Sequence, residues 1–600
     1  MPKKKVTVVE TVATPSTAPR PRLHKLRVSN FRCIGSNPIE VELDDIVVLV
    51  GPNNAGKSSI LRAYEVVMLH GSKLGELSID DFPNGKVSPD QLPTIELETI
   101  VYDKTAPGER WVRTDASNGE MYVREKWTWP KVGAPERVGW EVSENKWHEK
   151  EVPWGAANVA QARRPEPHRI GAFDSPDKQA EETAKLLKEA LTARVKELGK
   201  KKSDGETTLG QSAYIGLMET VRKLQTEIAE DAKKALAAIE TELSHTISNV
   251  FPGYTVSFDP RAEDDIEKCI SLFKADPIIR MGPSGDHQST IDRQGSGARR
   301  TLLWAALRIL SEQRAGKTES GSDKPHLLLM DEPEICLHPN AIREARKVLY
   351  DLPKDGNWQV MVTTHSPVFI DLSRDNTSIV RVERSACGEV RGTTIFRPKK
   401  AQLSDDDKEC LKLLNLCDPY VAEFFFGGRT ILVEGDTEYT AFNYIISNEP
   451  DKFKDLHIVR ARGKATIRSL CKILKQFDVP FGILHDSDMP TIKRSGRDIG
   501  NPAWTMNIEI FNTIKDQIEN RKVRLLASLP NFELAYFGKE VRDEKPVTAW
   551  ETLKKNGDAR KKISDLLMAL LDLNATPPEG AVAWTSLDQL KEKLHSAGHL

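Results

Sequence analysis

Apolar positions recur with different periods along the chain. LHKLRVSNFRCIG, beginning at Leu23, reads as a strand, and NPIEVELDD as a second. DIVVLVG is a short, wholly apolar run that predicts a strand buried on both faces, and SSILRAYEVVMLH behind it has helical spacing. From Pro93 to Trp154 the period drops to two: IELETIVYD and EMYVREKWTW predict strands separated by turn residues. From Ser175 to Val250 it becomes helical. AEETAKLLKEALTARVKELGKKK predicts one amphipathic helix and IGLMETVRKLQTEIAEDAKKALAAIETELSHTISNV a second, with GKKKSDGE as the turn. Strands resume at YTVSFDP and alternate with helices to Phe396, an α/β pattern. PKKAQLSDDDKE reads as a connector. A second α/β unit follows from Gly428, with strands TILVEG, DLHIVRA and PFGILHD and a mainly helical tail from Val547. There is no internal repeat.

Six hundred residues exceed what one hydrophobic core serves, which fits two to four domains. With 86 Lys+Arg against 88 Asp+Glu, the net charge of −2 argues against a histone-like or tail-driven nucleic-acid binder, while leaving room for a local basic groove. Cysteines at 33, 269, 336, 387, 410, 417 and 471 form no C-x-x-C pair, which disfavours a zinc ribbon or a disulfide framework and fits a reducing cytoplasm. No apolar run reaches the roughly 18–20 residues of a membrane span. Residues 1–22 lack the apolar core of a secretory signal and read as a disordered lead, with Lys3–Lys5 a solvated tail rather than a nucleic-acid contact. Six of the eleven tryptophans fall between Trp111 and Trp154; a β-meander core is favoured over a base-stacking platform.

GPNNAGKSS (51–59) matches G-x-x-x-x-G-K-[ST] between a buried strand and a helix. Backbone N–H groups of such a loop cradle phosphates, so Gly51, Asn53, Asn54, Gly56, Lys57, Ser58 and Ser59 are candidate nucleotide residues. Lys57 would reach the β/γ-phosphates and Ser58 would ligate Mg²⁺. In HLLLMDEPE, Asp331 would hold that Mg²⁺ and Glu332 would polarise the attacking water. WQVMVTTHSP ends a further strand at His365, a candidate γ-phosphate contact. RQGSGARRTLLWAALRIL opens a helix with Gly295, Ser296 and Gly297.

The second unit carries carboxylates at strand ends. Glu434 ends TILVEG and Glu438 follows one helical turn later. Asp486 and Asp488 end FGILHDSD, and Glu533 follows the turn in LPNFELAYFG. Together these acids suit a divalent cation with oxygen ligands, Mg²⁺ or Mn²⁺. In VRARGKATI, Arg460, Arg462, Gly463 and Lys464 read either as a backbone-phosphate contact or as a solvated turn. In ARKK, Lys561 or Lys562 could stabilise a transition state, or simply begin a helix.

The RQGSG segment resembles the signature motif of ABC-type ATPases of the SMC/Rad50/RecF group. LRVSNFRCIG resembles the start of those heads and ICLHPN (335–340) their D-loop. That resemblance implies that Ser296 and Gly297 of one subunit close on nucleotide held by another. The Q-loop position is open among Asp80, Asp81 and Gln91. The carboxylate set resembles a Toprim domain. An ABC-type head followed by Toprim resembles the OLD (overcoming lysogenization defect) family of endonucleases, relatives of the Gabija nuclease subunit and retron-associated OLD nucleases.

The resemblance implies an α/β fold: head residues 23–174 and 251–400, a helical, dimerising insertion 175–250, a connector 401–427, and a Toprim domain 428–600 with C-terminal helices. It implies a nucleotide-regulated, divalent-metal-dependent DNA endonuclease or nickase in antiphage defence, using ATP with Mg²⁺ or Mn²⁺. Glu434, Asp486, Asp488, Glu533 and Lys562 would act at the Toprim site and Glu332 at the head. Glu434, Glu438, Asp486, Asp488 and Glu533, with Ser58 and Asp331 at the head, would be the metal ligands. Implied partners are DNA, further copies as homodimer or tetramer, and a second defence protein, a helicase or a reverse transcriptase with its nucleic-acid product; no membrane is implied. The alternative is a Rad50/RecF-like DNA-binding ATPase clamp with a non-catalytic Toprim fold, against which the intact acids at 434, 486 and 488 argue. A topoisomerase or primase would need a tyrosine domain or a zinc motif that the sequence lacks.

Overall fold

The computed structural model describes residues 20–172, 174–175, 177–181, 216, 220, 280–281, 289–314, 325–374, 376–384, 388, 390–397, 401–418, 420–477, 479–494, 497–539 and 543–600. The chain forms two compact units, residues 1–173 with 317–600, and residues 174–316. The N-terminal lead and the YTVSFDP strand lie outside the described residues, as does nearly all of the helical pair expected over 175–250. No helix among the described residues is long and apolar enough to cross a membrane.

The first sheet of the larger unit is antiparallel. Its order is β2 (Ile39–Glu42), β1 (Arg22–Ser29), β4 (Thr94–Val101), β6 (Met121–Thr128), β7 (Glu136–Glu141) and β8 (Lys146–Trp147), with β5 (Val112–Thr114) also on β6. Alternation turns Leu26, Val28, Ile95, Leu97 and Trp127 inward onto Tyr64 and Val67 of helix α1 (Lys57–Met68). Trp129 joins that core, while Trp140 stacks edge-on against Trp147 at 5.1 Å beneath the Arg124 guanidinium. Trp127 and Trp129 thus sit in a core as expected of the meander, while Trp140 and Trp147 are only partly buried.

The second sheet runs β15 (Val390–Phe396), β14 (Thr377–Arg384), β3 (Ile46–Val50), β13 (Trp358–Thr363), β12 (His326–Asp331), β9 (Glu166–Ile170). All its neighbours pair parallel except β14 with β15. β3, β12 and β13 are buried along their whole length, which is why their sequences are continuous apolar runs. Because β3, β13 and β12 lie side by side and parallel, the phosphate-loop, His365 and Asp331 motifs all emerge at one edge.

The third sheet has the order β17 (Leu456–Arg460), β16 (Arg429–Val433), β18 (Phe481–Asp486), β21 (Val523–Ser528), β22 (Ala581–Ala583), parallel except for β22. Its core joins Ile431, Val433, Leu484 and Leu526 to Phe442 and Ile445 of α4 (Asp436–Asn448) and to Ile563, Leu566 and Leu570 of α8 (Gly557–Leu571). In the smaller unit, α2 (Ser296–Arg314) begins at the GSG segment, and β10 (Arg280–Met281) pairs with β11 (Ser289–Thr290).

The connector expected at 401–427 is folded rather than loose. Ser404 caps helix α3 (Asp405–Cys417) through a reciprocal capping box with Asp407. Asp407, fully buried, also accepts from Ser469 Oγ (2.7 Å) and Lys472 Nζ (2.5 Å) of α5 (Lys464–Leu474). Burial alone would raise the Asp407 pKa; these donors, chiefly Lys472, override it and hold the carboxyl well below the usual range. Asp407→Ala is expected to cost about 2–3 kcal/mol. That is less than a sealed ion pair, because Lys472 and Arg468 can turn to solvent once released. Urea unfolding measures it, and an unchanged midpoint would show that the connector is held by other means.

Candidate functional sites

At the first site the backbone dictates the residues. Gly51 has φ 137°, and a Cβ there would meet the Val382 carbonyl oxygen at 1.9 Å, so only glycine fits where β3 turns into the loop. Gly56, φ 101°, precedes α1, and a Cβ on it would meet Cys33 Sγ at 2.9 Å. Asn53, Asn54, Lys57, Ser58 and Ser59 line a cavity of ≈ 140 Å³ together with Glu332 and His365. Lys57 Nζ folds inward, donating to the carbonyls of Gly51 (3.0 Å) and Pro52 (2.9 Å), and lies 2.9 Å from His365 Nε2. Burial and then the Lys57 charge lower the His365 pKa, so the neutral ring accepts from the ammonium.

Asp331 accepts from Thr363 Oγ1 and from Arg169 Nη2 (3.2 Å). Glu332 takes a left-handed φ of 47° and points its carboxylate at His365, 3.6 Å away. Glu334, which the sequence reading passed over, accepts from His365 N (2.7 Å) and Thr364 Oγ1 (2.8 Å) and fixes the histidine loop. The third acid of DEPE was its signal. Asp80, Asp81 and Gln91 do not line the cavity; Asp81 instead binds Arg32 at 2.8 Å. Ser296 and Gly297 open α2 in the smaller unit.

At the second site five carboxylates converge. Glu434 Oε2 accepts from the Asp486 amide (3.1 Å), and Asp486 Oδ1 from the Phe532 amide (2.8 Å). Glu533 accepts from Thr437 Oγ1 (3.1 Å) and Lys545 Nζ (3.0 Å), which ties it to α4 and to α7 (Lys545–Lys555). Glu438 is buried, and Gly435 leaves room for it: a Cβ there would stand 3.2 Å from its Oε2. Asp488, at φ 57°, pairs with buried Lys464. Burial and mutual repulsion raise the Asp486 pKa well above its usual value. Burial, with Glu434 and Glu533 nearby, pushes Glu438 up to about 7. Burial also raises Glu434, against the pull of Lys464 and Lys545.

Beneath the acids, His485 is sealed in the core. Its Nε2 accepts from Trp584 Nε1 (3.1 Å) and its Nδ1–H donates to the Asp486 carbonyl (2.7 Å). Burial lowers its pKa to about 3, so it stays neutral and fixes the end of β18.

Several placements differ from expectation. Lys562 lies at the surface, paired with Glu579 at 3.1 Å; its early position on the exposed face of α8 turns it outward. Lys464 and Lys545 are the cations that act on Glu434 instead. Lys464 therefore faces the acids rather than a solvated turn. Arg460 bridges Asp436 (2.7 Å) and Asp418 (3.3 Å), while Arg462 is exposed.

As placed, no group of three or more His, Cys, Asp or Glu side chains among the described residues stands in metal-ligand geometry. The donor set nevertheless fits a hard divalent cation: it offers only carboxylate oxygens, crowded enough to resist ionising together.

The strand order and the two sites define a nucleotide-binding ATPase head joined to a Toprim domain. Residues 22–100 and 174–370 match the AAA ATPase domain family, and residues 425–488 match the Toprim domain of overcoming-lysogenization-defect-like proteins. The chain is 24% identical over 548 residues to the Old nuclease of Escherichia phage P2, a match covering 89% of this chain and 85% of that protein. It is 24% identical over 487 residues to the OLD nuclease of Thermus scotoductus, covering 78% and 82%. A solved SMC head domain from Thermotoga maritima aligns at 13% identity and TM-score 0.29, covering 62% of this chain and 99% of that one. With an AAA-type ATPase domain followed by an OLD-like Toprim domain, the chain is similar to these OLD nucleases over most of its length.

The raised carboxylate pKa values set a pH dependence. A folded state that holds these protons more tightly than the unfolded chain has that stabilisation in full below the unfolded carboxylate range. It loses it as pH rises through about 7 for Glu438. In EDTA, the melting temperature is expected to fall from pH 5 to pH 8. Glu438→Gln, which cannot ionise, should shrink that fall, recovering at most about 3 kcal/mol at the alkaline end. Superimposable profiles for the two proteins would refute the burial of this charge.

Proposed function

We propose that the protein is a nucleotide-regulated, divalent-metal-dependent DNA endonuclease or nickase, acting in the cytoplasm as an antiphage effector. The observation that carries this reading is the convergence of Glu434, Glu438, Asp486, Asp488 and Glu533 at the C-terminal edge of one sheet. Such a cluster is stable in its ionised form only when cations share it. The naming of the two relatives as nucleases supports the same reading.

These acids would hold Mg²⁺ or Mn²⁺, which supplies an activated water and neutralises charge on a phosphodiester. The chain's own residues do the rest. The Phe532 amide and His485 orient Asp486. Lys464 balances Asp488, and Lys545 balances Glu533, while Glu434, Glu438 and Asp486 carry no ion pair among the described residues. At the head, Lys57 would bind the nucleotide phosphates, Ser58 and Asp331 its Mg²⁺, and His365 the γ-phosphate, with Glu332 polarising water. Ser296 and Gly297 would complete that site from a second copy, giving a homodimer or a tetramer. A second defence protein, a helicase or a reverse transcriptase with its product, would supply the trigger.

The Toprim chemistry needs only water, cation and acids, so nucleotide can act on it only through its differential affinity for two conformations. The test is nicking of supercoiled plasmid with and without Mg²⁺ or Mn²⁺ across an ATP titration. Glu434→Ala and Asp488→Ala should each lower cleavage by at least about 100-fold, more than loss of an outer-shell partner costs, and leave ATP hydrolysis intact. Lys57→Ala should still cut but no longer respond to ATP, and Glu332→Gln should lock the ATP-favoured state, which we take to be the inhibited one. Cleavage by Asp488→Ala at the wild-type rate would sink the site. A Lys57→Ala protein that binds DNA yet never cuts would show that hydrolysis is coupled to cleavage.

A further inference from the structure

Directly after Asp488 the chain leaves the Toprim sheet through a small hairpin, β19 (Thr491–Arg494) antiparallel to β20 (Arg497–Gly500), and returns into α6 (Pro502–Glu519). The register sets Ile492 opposite Ile499, Lys493 opposite Asp498, and Arg494 opposite Arg497. Alternation along each strand puts both isoleucines on the face of Arg497. Ile492 is 39% exposed and Ile499 37%, and Lys493 and Arg497 are exposed with no ion pair or hydrogen bond among the described residues. By itself this arrangement is unfavourable. A lone two-stranded hairpin is marginal in water.

Its base, by contrast, is pinned. Asn501 N donates to Pro490 O (2.9 Å) and Asn501 Nδ2 to Met489 O (2.8 Å). Lys464, the partner of Asp488, also donates to Ala503 O (3.2 Å), and Asn507 Nδ2 holds Ser487 O at 2.7 Å. The hairpin is thus anchored to the strand end that carries Asp486 and Asp488. Three residues from Asp488 to Thr491 span at most about 10 Å, and a four-residue strand adds about 13 Å. Everything on it lies within about seven base-pair steps of a phosphate at the acids, at ~3.4 Å per step.

We propose that this hairpin is a duplex-DNA ribbon, seated in a groove beside the cleaved phosphate, with Lys493 and Arg497 on backbone phosphates and Ile492 and Ile499 against sugar and base edges. The proposal rests on the nuclease reading above. Residues 491–500 carry three cations and one anion in a chain whose net charge is −2, so the local charge suits a polyanion. The major groove admits a two-stranded ribbon. Single-strand binders rely on aromatic stacking platforms, and TIKRSGRDIG holds no aromatic residue.

The test is binding of a labelled duplex in EDTA, where cleavage is silent, over a series of KCl concentrations. Lys493→Ala with Arg497→Ala should weaken binding at least about 10-fold at low salt and reduce the slope of log affinity against log salt by about 2, near 0.9 per lost phosphate contact. Ile492→Ser with Ile499→Ser should weaken binding with the slope unchanged. ATP hydrolysis should match wild type in both variants, showing that they fold. Equal duplex affinity and slope in a wild type that cuts and a double variant would overturn the hairpin assignment alone. A loss confined to single strands would overturn the duplex assignment, and a changed mass by light scattering would mark the hairpin as a contact between copies. A wild type that binds with the full slope but cuts nothing in Mg²⁺ or Mn²⁺ would overturn the nuclease reading and leave the hairpin standing.

Discussion

Mutual repulsion among five carboxylates at one sheet edge is the constraint around which the Toprim half is built. Parallel pairing of β16 with β18 brings Glu434 against the Asp486 amide, and the turn after β21 aims Phe532 N at the Asp486 carboxylate. Among the described residues, only Lys464, paired with Asp488, and Lys545, paired with Glu533, form ion pairs with the charge so gathered. The surrounding packing must therefore hold the acids together against their own field. β22 pairs with β21, and Trp584 caps His485, so the C-terminal tail supports the end of β18 from below. A site strained in this way suits a function that supplies cations.

The head and the Toprim domain share a polar seam. Arg381, one strand from the phosphate loop, donates to the carbonyls of Phe424 (3.1 Å) and Phe425 (3.0 Å), just ahead of β16 and Glu434. Asn415 of the connector helix donates to Asp371 (3.3 Å), six residues beyond His365. At its other end that helix is clamped to α5 by Asp407, and α5 begins with Lys464. Loops that face nucleotide and loops that face the acids are therefore joined through buried hydrogen bonds. This is the kind of contact that can transmit a discrete change rather than a graded one.

Much of this was legible in the chain because it is local. The phosphate loop, DEPE and THSP carry their meaning in consecutive residues, and the buried strands that deliver them are plain apolar runs. Glu438 was legible because helical spacing places it one turn past Glu434. What was not legible depends on distant partners. Lys562 looked available beside a helix start, yet it turns to Glu579, while Lys464 and Lys545 take the places at the acids. The contact of His485 with Trp584 joins residues 99 apart and has no local signature. The β19–β20 hairpin is too short and too polar for its alternation to stand out. The connector read as a linker because its charged first turn hides Leu411 and Leu414, which the fold buries.

The central claim is that the gathered acids exist to share divalent cations. Mn²⁺ titration followed by electron paramagnetic resonance, at pH 7.5 and without nucleotide, tests it most directly. The wild-type chain should bind Mn²⁺ with release of protons, because raised carboxylates must ionise to ligate. Asp486→Asn should lose that binding while the melting temperature of the metal-free protein stays level or rises. Equal Mn²⁺ binding by wild type and Asp486→Asn, or none by either, would contradict the account.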